Sequence, residues 1–420
     1  MMSNSIPYGR QSISEADIKA VVKVLRSDFL TQGPVVPNFE AAVARYCQAQ
    51  HAVATTNATS ALHLACLALG LGPGDRLWTS PITFVASANC ALYCGADVDF
   101  FDIDARTYNL CPVALKAKLI EAEKNGQLPK VVVAVHMCGQ SCDMQAIHAL
   151  SVQYGFKLIE DASHAIGARY QGQPVGNGRY SDITIFSFHP VKIITSGEGG
   201  MALTNNIEWA KTMMRLRSHG ITSDPADMLA HPADEIWNYQ QLDLGFNYRM
   251  TELQAALGLS QLQQIDAFVS RRQAYAEIYD NTLCDLPMVT PWQHPDCESS
   301  YHLYPLRITA DEHGLRQKEV YRAMHLANIK VNLHYIPVYL QPFYAAKGFK
   351  RGHCPQAESY FKEVISIPMY AGMTLKQQEK VCEQLTRVFE KLSKVTSRPR
   401  IFVNEVFQYT PKYQLGTVSA

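Results

Sequence analysis

The chain has no excess charge of either sign. Its 420 residues carry 38 Lys plus Arg against 38 Asp plus Glu, a formal net charge of zero. Broad nucleic-acid or membrane-surface binding needs a basic excess, so neither is expected here. Long apolar runs are also missing. No stretch approaches the roughly 20 apolar residues of a bilayer span. The start, Met1 to Pro7, has no basic segment and no apolar core, and so does not read as a secretion signal. The chain holds 11 cysteines, an odd number, with no C-x-x-C pair. They read as free thiols in a reducing cytoplasm rather than as a disulfide framework. His136, Cys138 and Cys142 resemble part of a metal site, but no fourth ligand lies nearby, and no metal is expected. Internal repeats and low-complexity tracts are absent. Hydrophobic residues at 47% and charged residues at 18% describe an ordinary globular chain. Any anionic ligand must then be held by a few local groups, not by an overall field.

What is present is alternation. Helical patterns fall at 14–28, 38–50, 58–70, 84–94, 112–126, 144–154 and 207–218. Ser14 and Asp17 form a capping-box signature for the first. Short apolar runs fall between them at 51–55, 76–79, 98–101, 130–135, 157–159, 183–188 and 200–204. That order predicts an α/β fold with a mostly parallel sheet covered on both faces. Residues 251–279 read as one long helix. Beyond it the order changes to a strand at 302–308, a helix at 315–328, a strand at 331–334 and a last helix at 375–392. The expected division is a large domain over 1–265, a small α+β domain over 266–395 and a tail over 396–420.

In such sheets ligands sit beyond the carboxyl ends of the strands. Four features fall there. Asn57, Ala58, Thr59 and Ser60 open a helix, which makes either an anion site or an ordinary N-cap. Glu160 and Asp161 end a strand, as structural ion-pair partners, metal ligands or partners of a protonated ring nitrogen. His164 follows them. Lys192 lies in a loop between two apolar strands, flanked by Ser187-Phe-His and Gly197-Glu-Gly-Gly. A desolvated lysine there can act as a nucleophile, although most lysines are surface charges. Phe84 is either core or a plate for a planar ligand. One ligand satisfies all four features. A phosphate cradle, a carboxylate, an aromatic plate and a lysine are the parts that hold pyridoxal 5'-phosphate.

The chain also resembles the DegT/StrS-type sugar-nucleotide aminotransferases. The likeness runs from about Ile6 to Leu392. It rests on Leu30-Thr-Gln-Gly-Pro, Asn57-Ala-Thr-Ser-Ala-Leu-His, Pro81-Ile-Thr-Phe-Val-Ala, Glu160-Asp-Ala-Ser-His-Ala and Ser187-Phe-His-Pro-Val-Lys. Further on it rests on Gly197-Glu-Gly-Gly, Gly245-Phe-Asn-Tyr-Arg-Met-Thr-Glu and Val331-Asn-Leu-His-Tyr-Ile-Pro-Val-Tyr. Within the family, the UDP-sugar C4 aminotransferases of pseudaminic acid synthesis are most similar.

The resemblance implies the fold type I architecture, with a mixed, mostly parallel sheet between helices. It implies that Lys192 bonds the cofactor and then shuttles the proton, and that Asp161 pairs with the ring nitrogen. It implies that Phe84 stacks on the ring and His164 supports its edge. Thr59, Ser60 and Ser187 would hold the phosphate, joined by Asn247 from a partner subunit, which makes the expected assembly a homodimer with shared active sites. Tyr8, Leu30, Thr31, His334 and Tyr335 match positions facing the nucleotide sugar. The implied reaction moves an amino group from L-glutamate to C4 of UDP-2-acetamido-2,6-dideoxy-β-L-arabino-hex-4-ulose. The alternative acceptor is another nucleotide 4-keto sugar, a dTDP-4-keto-6-deoxyhexose or a UDP-4-keto-pentose. Relatives with His in place of the lysine are dehydratases, and Lys192 argues against that branch. A nicotinamide dehydrogenase fails because Gly70-Leu-Gly-Pro-Gly is not G-x-G-x-x-G and follows a helix. A non-catalytic cofactor-binding regulator finds no DNA-binding motif or basic arm to support it. The tail after about Ser393 departs from the family pattern.

Overall fold

Seven strands pair into one sheet: β1 (His51–Thr55), β2 (Arg76–Thr79), β3 (Asp97–Phe100), β4 (Val131–Val135), β5 (Lys157–Asp161), β6 (Ile183–Ser187) and β7 (Gly200–Thr204). In space the order is β1-β7-β6-β5-β4-β2-β3. A computed structural model describes residues 5–230, 232, 234–309 and 317–396. All pairings are parallel except the two made by β7, which runs against both β1 and β6. Residues of β4, β6 and β7 are buried throughout. A strand covered on both faces has no solvent side, so its sequence loses alternation and becomes an apolar run.

Helices α1 (Glu15–Leu25), α2 (Val35–Cys47), α3 (Ala58–Ala68), α4 (Ala86–Tyr93), α5 (Pro112–Lys124), α6 (Met144–Tyr154) and α7 (Ile207–Leu216) follow in order along the chain. Two apolar clusters involve opposite sets of sheet residues. Val53, Val131, Val133, Ile159, Ile183 and Ile185 pack with α3 and α4. Ala52, Ala54, Phe186, Met201 and Leu203 pack with α2 and residues of the next helices. The Ser14 capping box forms: Asp17 N–H donates to Ser14 Oγ and Ser14 N–H to Asp17 Oδ2.

The single helix expected over 251–279 is two, α8 (Glu252–Leu262) and α9 (Ile265–Leu283). Gln264 leaves helical geometry at φ −107° and ψ 1°. Gln261 and Gln264 turn their amides onto Ser12, Ser14 and Asp17 at the start of α1. Packing against α1 accompanies the break, and a propensity reading has no access to that contact. The strand expected over 331–334 is also absent. Asn332 makes one bridge to Ser366, with reciprocal backbone bonds of 3.0 and 2.7 Å. The chain then turns toward the sheet's carboxyl edge instead of pairing further.

The second layer is a two-stranded pair, β8 (Tyr304–Arg307) against β9 (Val364–Ile367). It packs with α9, with α10 (Gln317–Leu326) and with the last helix, Leu375–Thr396. The helix expected from Leu315 begins outside the described residues, as does the expected tail from 397 onward. Arg272 of α9 is buried and donates to the carbonyls of Tyr301, His302 and Met369. Burial pulls its guanidinium down to about 10.

Glu252, 1% exposed, caps α2 from a distance. Its carboxylate accepts Val35 N–H at 2.7 Å and Val36 N–H at 3.0 Å. Carboxylate acceptors suit a helix N-terminus, whose first N–H groups lack partners. Replacing Glu252 with Ala strands both donors. Urea unfolding is expected to show a loss of about 1–3 kcal/mol, and an unchanged midpoint and slope would reject this account.

Candidate active site

Strand register brings the site together. Thr55 and Ser187 both pair with Gly200, Val135 pairs with Asp161, and Asp161 pairs with Ile185. The carboxyl ends of β1, β4, β5 and β6 therefore share one edge. Gly200 is required there by close approach: a Cβ would lie 2.4 Å from the Asn57 carbonyl. That contact seats the start of α3 directly on the sheet edge.

A cavity of about 820 Å³ opens at this edge. Its walls include Tyr8, Thr59, Ser60, Phe84, Asp161, His164, Ser187, Lys192, His334 and Tyr335. Leu30, Thr31 and Asn247 do not line it. Leu30 and Thr31 lie at the start of α8, where Leu30 C=O accepts Glu252 N–H and Thr31 bridges Thr251. Asn247 is exposed and bridges Ser218, while its neighbour Tyr248 does reach the cavity.

At the phosphate end, Asn57 caps α3 by accepting Ser60 N–H at 2.9 Å. The N–H groups of Ala58 and Thr59 precede the first intrahelical bond. Thr59 and Ser60 add hydroxyls on the cavity wall. Phe84 is 59% exposed, high for an aromatic ring, with a free face at the cavity. The N-cap reading of the Asn57 segment is observed, and the cap leaves the first N–H donors of the helix without an intrahelical partner.

Asp161 is 5% exposed. Its Oδ2 accepts Ser87 Oγ–H at 2.6 Å; its Oδ1 accepts Ser163 Oγ–H at 2.6 Å and Ser163 N–H at 3.1 Å. Glu160, one residue earlier, points to the other side of the strand and serves structure. It accepts from His136 Nε2 at 2.6 Å, from Ser181 and from Thr184. Cys142 N–H donates to His136 Nδ1, so Nε2 bears the proton. Burial pushes the Glu160 carboxyl up, and these donors more than reverse it, holding it below the carboxylate range.

Lys192 is the basic group on the inner wall. Burial lowers its amine to about 8, and attraction to Asp161 only partly opposes this. Three histidines nearby stay neutral. Burial and then Lys192 push His334 down to about 3, and burial takes His164 and His302 well below the usual imidazole range. His164 Nδ1 accepts Cys138 N–H at 3.3 Å, which leaves Nε2–H to donate to Tyr335 Oη at 3.3 Å. The Tyr335 hydroxyl proton is then free to point elsewhere. Sequence reasoning missed Thr83, Ser87, Ser163, His302 and Tyr248. Ser163 and Ser87 lie inside or beside recognised motifs. His302, whose Nδ1 has no partner among the described residues, arrives from the second layer with no local signal.

These groups fit pyridoxal phosphate: free helix N–H donors and hydroxyls for a phosphate, an aromatic face for a ring, a carboxylate for a ring nitrogen and a poised amine for an aldehyde. Fold and site together define a fold type I, pyridoxal-phosphate-dependent aminotransferase. The chain belongs to the DegT/DnrJ/EryC1/StrS aminotransferase family, whose model matches residues 11–386. It is 37% identical over 372 residues to the spore coat polysaccharide biosynthesis protein SpsC of Bacillus subtilis, covering 88% of this chain and 93% of that one. It is 36% identical over 390 residues to the UDP-4-amino-4,6-dideoxy-N-acetyl-β-L-altrosamine transaminase of Campylobacter jejuni, covering 93% and 99%. The solved structure of Helicobacter pylori PseC, an aminotransferase in pseudaminic acid biosynthesis, superposes with a TM-score of 0.83 at 30% identity, covering 92% and 100%.

A lysine near 8 keeps an appreciable free-base fraction at neutral pH, where an ordinary lysine near 10.4 does not. In cofactor-free protein, aldehyde labelling of Lys192, followed by borohydride trapping and peptide mass spectrometry, is expected to rise through pH 8. A rise only above pH 10 would reject the lowered amine.

Proposed function

We propose that this aminotransferase moves an amino group from L-glutamate to C4 of UDP-2-acetamido-2,6-dideoxy-β-L-arabino-hex-4-ulose, a step of pseudaminic acid biosynthesis. The observation that carries the chemistry is the single cavity holding Lys192, Asp161 and the α3 N-terminus. The substrate rests on the activity for which the Campylobacter relative is named and on the likeness to PseC. A second reading, another nucleotide 4-keto sugar, is kept because SpsC is as similar and is described by spore coat polysaccharide.

Bound, the cofactor supplies the electron sink and carries the amino group between the two substrates. Thr59, Ser60, Ser187 and the first N–H groups of α3 hold its phosphate. Phe84 would offer its exposed face to the ring, and His164 would support the ring edge. Asp161 would accept a hydrogen bond from the protonated ring nitrogen, and its charge would keep the proton there. Lys192 Nζ, uncharged in part at neutral pH, would be the amine that holds the cofactor's aldehyde, and as a base it would carry the proton that transamination moves. Tyr8, His334 and Tyr335 form the wall that orients the sugar. Leu30, Thr31 and Asn247 lie outside their own chain's cavity, and we assign Asn247 to the phosphate site of a second subunit in a homodimer. The chain is read as a large domain over 1–265, a small domain over 266–395 and a tail, acting in the cytoplasm. No described helix is long and apolar enough to cross a membrane.

Purified protein given L-glutamate and a panel of UDP- and dTDP-4-keto sugars is expected to aminate the UDP N-acetyl sugar at C4. Turnover of only a dTDP-hexose or a UDP-pentose selects the second reading, and no turnover of any sugar rejects both. Lys192→Ala is expected to cost about 10²–10⁴-fold or more in kcat, with the fold checked by circular dichroism. Asp161→Ala is expected to cost about a hundredfold or more; full activity in either variant would remove that residue from its role.

A further inference from the structure

Asp161 is held in a way that leaves little freedom. A carboxylate offers about four acceptor positions, two on each oxygen. Three are taken: both on Oδ1, by the Ser163 hydroxyl and N–H, and one on Oδ2, by Ser87. The remaining position is on Oδ2. Ser163 lines the cavity, whereas Ser87 does not and is 0% exposed. Ser87 therefore reaches the carboxylate from the protein side.

The direction of these bonds is fixed by proton count. Ionised Asp161 has no proton to give, so Ser87 must donate its only one. Ser87 Oγ also lies 2.7 Å from Thr83 Oγ1. With its proton spent, Ser87 can only accept there, so Thr83 donates. The result is a buried relay, Thr83 to Ser87 to Asp161 Oδ2, in which each bond polarises the next. Thr83 and Ser87 flank Phe84 in sequence. One turn thus supplies both the aromatic plate and the brace of the carboxylate.

We infer that Ser87, backed by Thr83, is a positioning residue that aims Asp161 Oδ2 at the ring-nitrogen proton of the cofactor. The inference rests on the cofactor reading above. Ser87 touches neither cofactor nor substrate and acts only through Asp161. Without it, Oδ2 has two open acceptor positions and no brace, and the carboxylate can turn about its Cβ–Cγ bond.

The test uses holoenzyme loaded with ring-¹⁵N pyridoxal phosphate. Ser87→Ala is expected to move the ring-nitrogen resonance and to lower kcat about tenfold, with the KM for the sugar nearly unchanged. Ser87→Thr, which restores the hydroxyl, is expected to recover both. Thr83→Val keeps the shape and removes only the far donor, so it is expected to shift the resonance the same way by less. It also serves where Ser87→Ala does not fold. An unmoved resonance in the variant that folds overturns the inference. Failure of the underlying reading looks different: wild-type protein does not retain the cofactor, or Asp161→Ala leaves the ring-nitrogen signal as it was.

Discussion

Burial of an amine and a carboxylate around one cavity is the constraint on which the site depends. Removing a charge from water is expensive unless it is paired or hydrogen-bonded. The two groups meet this cost differently. Asp161 is met by three hydrogen-bond donors. Lys192 has no such bonds in the structure, and its amine falls to about 8. The same dry surroundings leave His164, His302 and His334 neutral, so they line the cavity as polar but uncharged walls. A hydrogen-bonded carboxylate beside a partly uncharged, reactive amine follows from this difference in hydrogen bonding under shared burial.

The sheet makes that arrangement possible. Parallel strands end together, so residues far apart in sequence reach one edge. The antiparallel strand β7 closes the arrangement. It returns between β1 and β6 and, through Gly200, lets the α3 N-terminus sit on the backbone. The glycine-rich segment after Lys192 is thus a packing device as much as a loop. Neighbouring carboxylates then divide labour by strand alternation: Asp161 faces the cavity, and Glu160 faces His136 behind it.

The alternation of helices and apolar strands was legible because burial on both faces writes itself into composition. Several helix ends fell within a few residues of expectation, as capping chemistry is local. Ser14 with Asp17 shows this directly. The break at Gln263 and Gln264 was not legible. Glutamines are ordinary helix formers, and only contact with the start of α1 gives the amides of Gln261 and Gln264 another use. The expected strand over 331–334 failed for the same kind of reason, since its apolar alternation finds a single partner, Ser366.

By itself the sequence determined the parts: a helix start rich in Asn, Thr and Ser, a strand-end carboxylate, a lysine between apolar strands, and a chain with no net charge to attract anions at large. Short contiguous motifs carry that information because each is one turn or one strand end. Tertiary structure alone decided which parts meet. It brought His302, His334 and Tyr335 from the second layer to the sheet edge, left Leu30, Thr31 and Asn247 outside their own cavity, and set Ser87 behind Asp161, 74 positions away. Distances of that kind are products of packing, and no local pattern records them.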